Sequence, residues 1–253
     1  MQTDCVLVPD WPAPERVKAL VTTRLGGVSL GGFASLNLGT HVNDERDSVA
    51  QNRLTLANHT GLAASRFAWL DQVHGLAIIT AEAGGQVVQA DGSDTTENNL
   101  ACVVMTADCL PVLFCDQAGT KVSAVHAGWR GLAGGILQKA VQRFADPSKV
   151  MAWLGPAISQ AHFEVGNDVY QAFIANNAQN HSAFTASEDP NKWMADIYQL
   201  ARLQLKSAGV DQIYGGQYCT YADEKHFYSY RRDGVESGRM ASLVWLNSDV
   251  RTS

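Results

Sequence analysis

Apolar residues come in short blocks along this chain, and the blocks have two textures. The first is a run of β-branched, aromatic or aliphatic residues bounded by polar or glycine-containing breaks. It occurs at 18–23, 67–70, 76–80, 101–106, 111–115, 121–126, 150–154, 226–230 and 240–246, and it predicts strands. The second is a recurrence every three or four residues. Leu132, Ile136, Leu137, Ala140, Val141 and Phe144 share one face over 132–144, and Asp146-Pro147 closes the run. Ile197, Leu200, Ala201 and Leu205 do the same over 196–208, with Gly209 placed to end the helix. Weaker repeats predict helices over 47–59, capped by Asp47 and Ser48, and over 168–176.

Strands outnumber helices, and most are not followed by a helix that could carry a crossover. The order predicts an α+β fold with a mixed sheet rather than a regular βαβ repeat. No internal repeat or linker interrupts the chain, so one domain over 1–253 is expected. The polar stretch 175–191 reads as a loop or insertion.

Composition narrows the function classes. At 253 residues, 46% hydrophobic and 17% charged, the chain can build a large core and is neither disordered nor fibrous. Nineteen basic against 25 acidic residues give a net charge of −6, and no basic run exceeds Arg231-Arg232. That balance excludes nucleic acid as the main partner but leaves room for a small anion held by a few arginines. The longest apolar stretch, 100–115, is broken by Thr106, Asp108 and Pro111, so no membrane span is expected. The first residues lack a basic segment followed by an apolar one, which predicts a cytoplasmic protein. Cys5, Cys102, Cys109, Cys115 and Cys219 are scattered with no C-x-x-C, and are expected as reduced thiols. With no heptad pattern, a monomer is expected.

Polar residues at the ends of apolar runs carry the candidate chemistry. Three segments show them: Asp71-Gln72-Val73-His74-Gly75, Thr106-Ala107-Asp108-Cys109-Leu110-Pro111, and Val125-His126-Ala127-Gly128-Trp129-Arg130-Gly131. Each has a bland reading: a turn histidine, a small buried thiol, a core histidine bonded to a carbonyl. His74, Cys109 and His126 lie 35 and 17 residues apart, so only tertiary folding can join them. If it does, two mechanisms compete. Two imidazoles and a thiolate suit zinc with an open fourth position. Alternatively Cys109 is a thiolate nucleophile with a histidine as its base. Arg130, with Gly128 and Gly131 before a helix predicted from about Leu132, is a candidate phosphate site. Arg231 and Arg239 are further candidates for an anion, though a solvated turn explains the pair equally well. The glycine-dense stretch 26–39 matches no nucleotide fingerprint and reads as an irregular loop.

The motifs TTRLGGVS, NLGTHV, DQVHG, MTADCLPVLF, VHAGWRGL, WLGPAI, FYSYRRDG and GRMAS, in this order along nearly the whole chain, resemble the YfiH family, also called the multicopper polyphenol oxidase or laccase-domain family. The resemblance implies mixed sheets layered between helices, an α/β/β/α sandwich. It implies zinc held by His74, Cys109 and His126, and a purine nucleoside as substrate. The expected reactions are phosphorolysis of adenosine, inosine, guanosine and methylthioadenosine, and deamination of adenosine, with a link to peptidoglycan editing. Asp108 is the candidate proton carrier or orienter of a histidine, and Arg130 the candidate phosphate holder. Gln72, Asn37 and Arg231 are candidate substrate contacts. Asp91 matches the family pattern, whereas the residues after it and the VESGR turn depart from it. Three alternatives stand: a cysteine hydrolase acting on muropeptides, a copper polyphenol oxidase, and a ligand-sensing protein with a structural zinc. A single His2Cys set is few ligands for a multicopper cluster, which makes copper the weaker choice.

Overall fold

The computed structural model describes residues 5–248. Its two main sheets are mixed and lie face to face. The first has five strands in the order Val6–Leu7, Val17–Thr22, Met240–Leu246, Ala101–Thr106, Phe67–Ala68. The second has six, in the order Gln212–Gly215, Val150–Leu154, Leu110–Asp116, Val122–Ala127, Gly92–Thr95, Ile78–Thr80. Val17, Val21, Cys102, Val104, Val244 and Leu246 from one sheet meet Leu113, Cys115, Val122, Ala124, Met151 and Trp153 from the other.

Each sheet is covered on its outer face as well. Helix Arg46–Thr60 lies on the first, burying Val49, Asn52, Leu56 and Ala57 along one stripe. Helices Ile136–Val141 and Ile197–Ser207 pack on the second through Ile136, Leu137, Ala140, Leu200, Ala201 and Leu205. The result is the expected α+β arrangement, with mixed sheets layered between helices. It also explains the texture of the sequence: every residue of Ala101–Thr106 and of Val150–Leu154 is buried, so these strands read as continuous apolar runs.

Several local expectations need correction. The predicted helix 132–144 is two helices, Trp129–Ala133 and Ile136–Val141, because Gly135 sits at φ 87° between them. The predicted strand 226–230 is absent. Phe227 and Tyr228 are buried, but Ser229 Oγ accepts from Arg232 N and so caps a helical turn at Tyr230–Asp233. Helix Arg46–Thr60 starts before Asp47 and Ser48 and has no side-chain cap. The stretch 175–191 contains the 3-10 helix Ala178–Ala183 and strand Phe184–Ala186, part of a three-stranded sheet with Glu164–Gly166 and Lys192–Ala195. Strands Gly92–Thr95 and Gln212–Gly215 went unpredicted, since DGSDT carries little apolar signal. Asp196 caps Ile197–Ser207 by accepting from Gln199 N, and Gly209 follows at φ 87°.

The glycine-dense loop is pinned by one fully buried side chain. Asn52 Oδ1 accepts from Val28 N at 2.9 Å, and Nδ2 lies 2.9 Å from Ser29 Oγ, 3.1 Å from Ser35 O and 2.9 Å from Asn37 O. Asn52→Ala leaves those loop groups unpaired and is expected to cost about 2–4 kcal/mol in urea unfolding; a loss under about 1 kcal/mol would contradict this account. Among the described residues, no helix is long and apolar enough to cross a membrane.

Candidate functional site

The chain passes from the first sheet to the second through residues 106–110, and this crossing places Cys109 just ahead of strand Leu110–Asp116. The antiparallel register pairs His126 with Pro111, which brings that histidine to the same end of the sheet. His74 comes from the loop between strands Leu70–Asp71 and Ile78–Thr80, in the left-handed region at φ 59°. The three predicted residues therefore converge. His74 Nε2 is 3.9 Å from Cys109 Sγ, the imidazoles meet edge to face at 4.8 Å between centroids, and the three donor atoms lie within 4.8 Å of one another.

Asp91 organises this group. Strand Gly92–Thr95 runs antiparallel to Val122–Ala127 with Gly92 opposite Val125, so Asp91 falls beside His126. Its Oδ1 accepts from His126 Nδ1 at 2.8 Å and from His74 N at 2.9 Å; its Oδ2 accepts from Gly75 N at 2.6 Å. One fully buried carboxylate thus fixes the tautomer of the His126 imidazole and the backbone turn that carries His74. In the sequence, Asp91 stands out only as a match to the family pattern. Its physical signal is an acidic residue at the start of a strand that the composition concealed.

Electrostatics follow from the packing. Burial opposes charge on both His126 and Cys109, but the partners outweigh it. Asp91 and Cys109 raise His126 to about 9, and the two histidines bring Cys109 down to about 6. Cys102 and Cys115 lack such partners, and burial pushes both up to about 12. No disulfide joins the five cysteines.

Gly128 provides the space. A Cβ there would lie 2.9 Å from His74 Cδ2 and 3.3 Å from both Cys109 Sγ and His126 Cε1. The donor set fits zinc: two imidazoles and a thiolate converge, the Asp91 carboxylate holds one imidazole from behind, and only a hydrogen fits against the trio. This is the one group of three or more such donors close enough to share an ion among the described residues.

The trio lines a cavity of about 330 Å3 whose wall also includes His41, Phe163, Tyr230, Arg231 and Arg239. Arg239 is anchored by Nη1 to Ser237 O and Gly238 O, with its stem against Gly39, where a Cβ would come within 2.8 Å of Cγ. Arg231 Nη1 donates to His162 O and Glu164 O. His41 has its pKa lowered by burial and by the Arg239 charge.

The other sequence candidates divide. Gln72 lines the cavity, but its amide clamps the backbone of Met105, donating to O and accepting from N. Asp108 also lines it, at φ 93°. It does not orient a histidine: its carboxylate accepts from Thr220 Oγ1, Ser229 Oγ and Arg231 N, so it holds the Cys109 turn against the C-terminal segment. Arg130 is not in the cavity wall; it is exposed, with Cζ 4.3 Å from the Trp129 ring, on a helix of five residues that begins at Trp129 and not near Leu132. Asn37 is buried and stays outside the wall, bonded to Asp44, Gly39 and Arg239 N. The cavity wall instead contains Arg239, His41, Phe163 and Tyr230. The sequence carried a weak signal for Arg239 alone, as a possible anion holder.

Comparison with known proteins places this geometry. Residues 18–247 match the family model described as multi-copper polyphenol oxidoreductase laccase. A Pseudomonas aeruginosa protein named purine nucleoside phosphorylase is 52% identical over 241 residues, covering 95% of this chain and 98% of that protein. The Escherichia coli purine nucleoside phosphorylase YfiH is 50% identical over 244 residues, covering 95% and 98%. The crystal structure of the Neisseria meningitidis protein NMB0706, described under DUF152, superposes with a TM-score of 0.92 at 51% identity over 96% of this chain and all of that one.

Proposed function

The chain belongs to the multi-copper polyphenol oxidoreductase laccase family, that of the YfiH proteins, and from that premise we propose that it is a zinc-dependent purine nucleoside phosphorylase working in the cavity above His74, Cys109 and His126. One observation carries the reading: a three-donor group able to hold a metal lines a small cavity whose wall combines two aromatic rings with two arginines. Such a wall suits a flat base and an anion together. Relatives named purine nucleoside phosphorylase at 43–52% identity support it.

In phosphorolysis a phosphate oxygen bonds to ribose C1′ as the bond from C1′ to purine N9 breaks. The electron pair passes to the purine, which takes up a proton, leaving ribose 1-phosphate. Arg231 and Arg239, each tethered through Nη1, present the rest of their forks to the phosphate. Tyr230, half exposed at the rim, and Phe163, buried below Arg231, offer ring faces to the base. Cys109, His74 and His126 would hold the metal, with Asp91 setting the His126 tautomer, and zinc held there would supply Lewis acidity.

Adenosine, inosine, guanosine and methylthioadenosine are the proposed substrates, with adenosine deamination as a companion activity. Asp108 is a poor proton carrier for the latter, because three donors already engage its carboxylate. The muropeptide reading ranks lower, since a cavity of about 330 Å3 suits a nucleoside better than a glycopeptide. The single three-donor group among the described residues likewise falls short of a multicopper cluster.

Product analysis tests the proposal. Zinc-loaded protein with adenosine and phosphate is expected to give adenine and ribose 1-phosphate, and chelated protein is expected to give neither. Inosine formation without phosphate would assign the deaminase reaction. Equal turnover before and after complete chelation would overturn the metal-dependent reading.

A further inference from the structure

A second cavity, of about 300 Å3, opens beside the break between helices Trp129–Ala133 and Ile136–Val141. Gln138, Asn176, Asn180 and Gln204 contribute to its wall. The carboxamide oxygens of Gln138, Asn180 and Gln204 are shielded from solvent and have no hydrogen-bond partner. Asn180 is 3% and Gln204 8% exposed, so two of the three residues are more than nine-tenths buried.

The amide orientations of Asn180 and Gln204 are fixed by the other end of each group. Asn180 Nδ2 donates to Phe173 O at 2.9 Å, and Gln204 Nε2 to Leu132 O at 2.6 Å. Asn176 follows the same rule, its Nδ2 donating to Ala133 O and Ala172 O. Rotating Asn180 or Gln204 to pair its oxygen would set oxygen against a backbone carbonyl. Burying an acceptor without a donor is costly, so three around one cavity call for a common electropositive occupant.

The charge of that occupant can be read from the wall. Among the described residues, no aspartate, glutamate, lysine or arginine lines the cavity. Helices Asn167–Ile174 and Ile197–Ser207 both end at it, with Asn176 and Asn177 just beyond the first and Ser207 closing the second. Helix C-termini carry partial negative charge and favour cations. Neutral carbonyl oxygens in that field suit a hard cation of low charge; a divalent ion usually recruits carboxylates.

We propose that this cavity is a monovalent metal cation site, with the side-chain oxygens of Gln138, Asn180 and Gln204 as ligands. It is separate from the His74–Cys109–His126 group and does not depend on the nucleoside reading. It grips the segment that follows Gly128, because Gln204 and Asn176 donate to the carbonyls of Leu132 and Ala133.

The test is thermal unfolding of the full chain in potassium, sodium or choline chloride at equal ionic strength. Potassium or sodium is expected to raise Tm by about 2–4 °C over choline once the cation exceeds its Kd roughly tenfold. Gln138→Met, which keeps volume and removes one oxygen, is expected to shrink that difference by more than half. Gln138→Glu is expected to enlarge it. Crystals soaked in thallium(I) should show anomalous density inside the cavity. Equal Tm in choline and metal salts overturns the site, as does an undiminished difference in Gln138→Met or ordered water in place of thallium density. If Gln138→Met fails to fold, the wild-type salt comparison and Gln138→Glu decide.

Discussion

Asp91→Asn is expected to weaken zinc binding by about 10- to 100-fold and to destabilise the protein by about 2–4 kcal/mol. The carboxylate accepts from a ring nitrogen and from backbone N–H groups on both its oxygens, in a place with no access to water. Asparagine has the same shape but must turn an NH2 group toward one of those sets of donors. If it faces His126, the ring loses the partner that keeps its proton on Nδ1. If it faces Gly75, the turn that carries His74 opens. Either outcome disturbs a ligand, and the lost charge removes the main support for a protonated or metal-bound His126. Competition with a chromogenic chelator measures the first effect, and urea unfolding of the metal-free protein the second. Wild-type values in both would mean that Asp91 is a bystander.

The second large effect is expected from a single methyl group. Gly128 has φ −61° and ψ 157°, which any residue adopts, so Gly128→Ala introduces no backbone strain. The new Cβ would instead press on His74 Cδ2 at 2.9 Å and crowd Cys109 and His126. Moving ligands by even a fraction of an ångström misaligns what they hold, and kcat/KM is expected to fall about 100-fold. Stability should fall by only about 1–3 kcal/mol, because the rest of the core is untouched. The two readouts separate a damaged site from a damaged fold. A variant with full activity and full zinc content would show that the trio does not close around an ion as inferred.

The strands buried on both faces were legible because burial on two sides leaves an unmistakable run of apolar residues. Ala101–Thr106, Val150–Leu154 and Met240–Leu246 match the sequence expectation residue for residue. The three converging residues were legible for a related reason: His74, Cys109 and His126 interrupt or terminate such runs, where a polar group has to have a use. What escaped was set by partners distant in sequence. Strand Gly92–Thr95 is polar in composition and is buried only because Asp94 is paired with Arg143 and Lys121, and Ser93 O accepts from Ser123 Oγ. Phe227 and Tyr228 look like a strand, but the polar neighbour Ser229 is recruited by Asp108, 121 positions earlier. The cavity wall was harder still. Arg239 and His41 owe their positions to the loop that Asn52 pins and to the space left at Gly39; Arg239 carries only a weak local signal of its use, and His41 none.

The Asp108 carboxylate also has a consequence for how the chain acquires its site. Its partners Thr220, Ser229 and Arg231 lie 112, 121 and 123 positions away in sequence. Contacts of such separation form only after most of the chain entropy has been surrendered, so they belong to the slow end of folding. During synthesis, His74, Asp91, Cys109 and His126 all leave the ribosome long before the residues that brace the Cys109 turn. A nascent chain can therefore own all three residues of the His74–Cys109–His126 group while lacking the clamp that aims one of them. The C-terminal segment acts as the keystone of the arch, set last and locking stones laid far earlier.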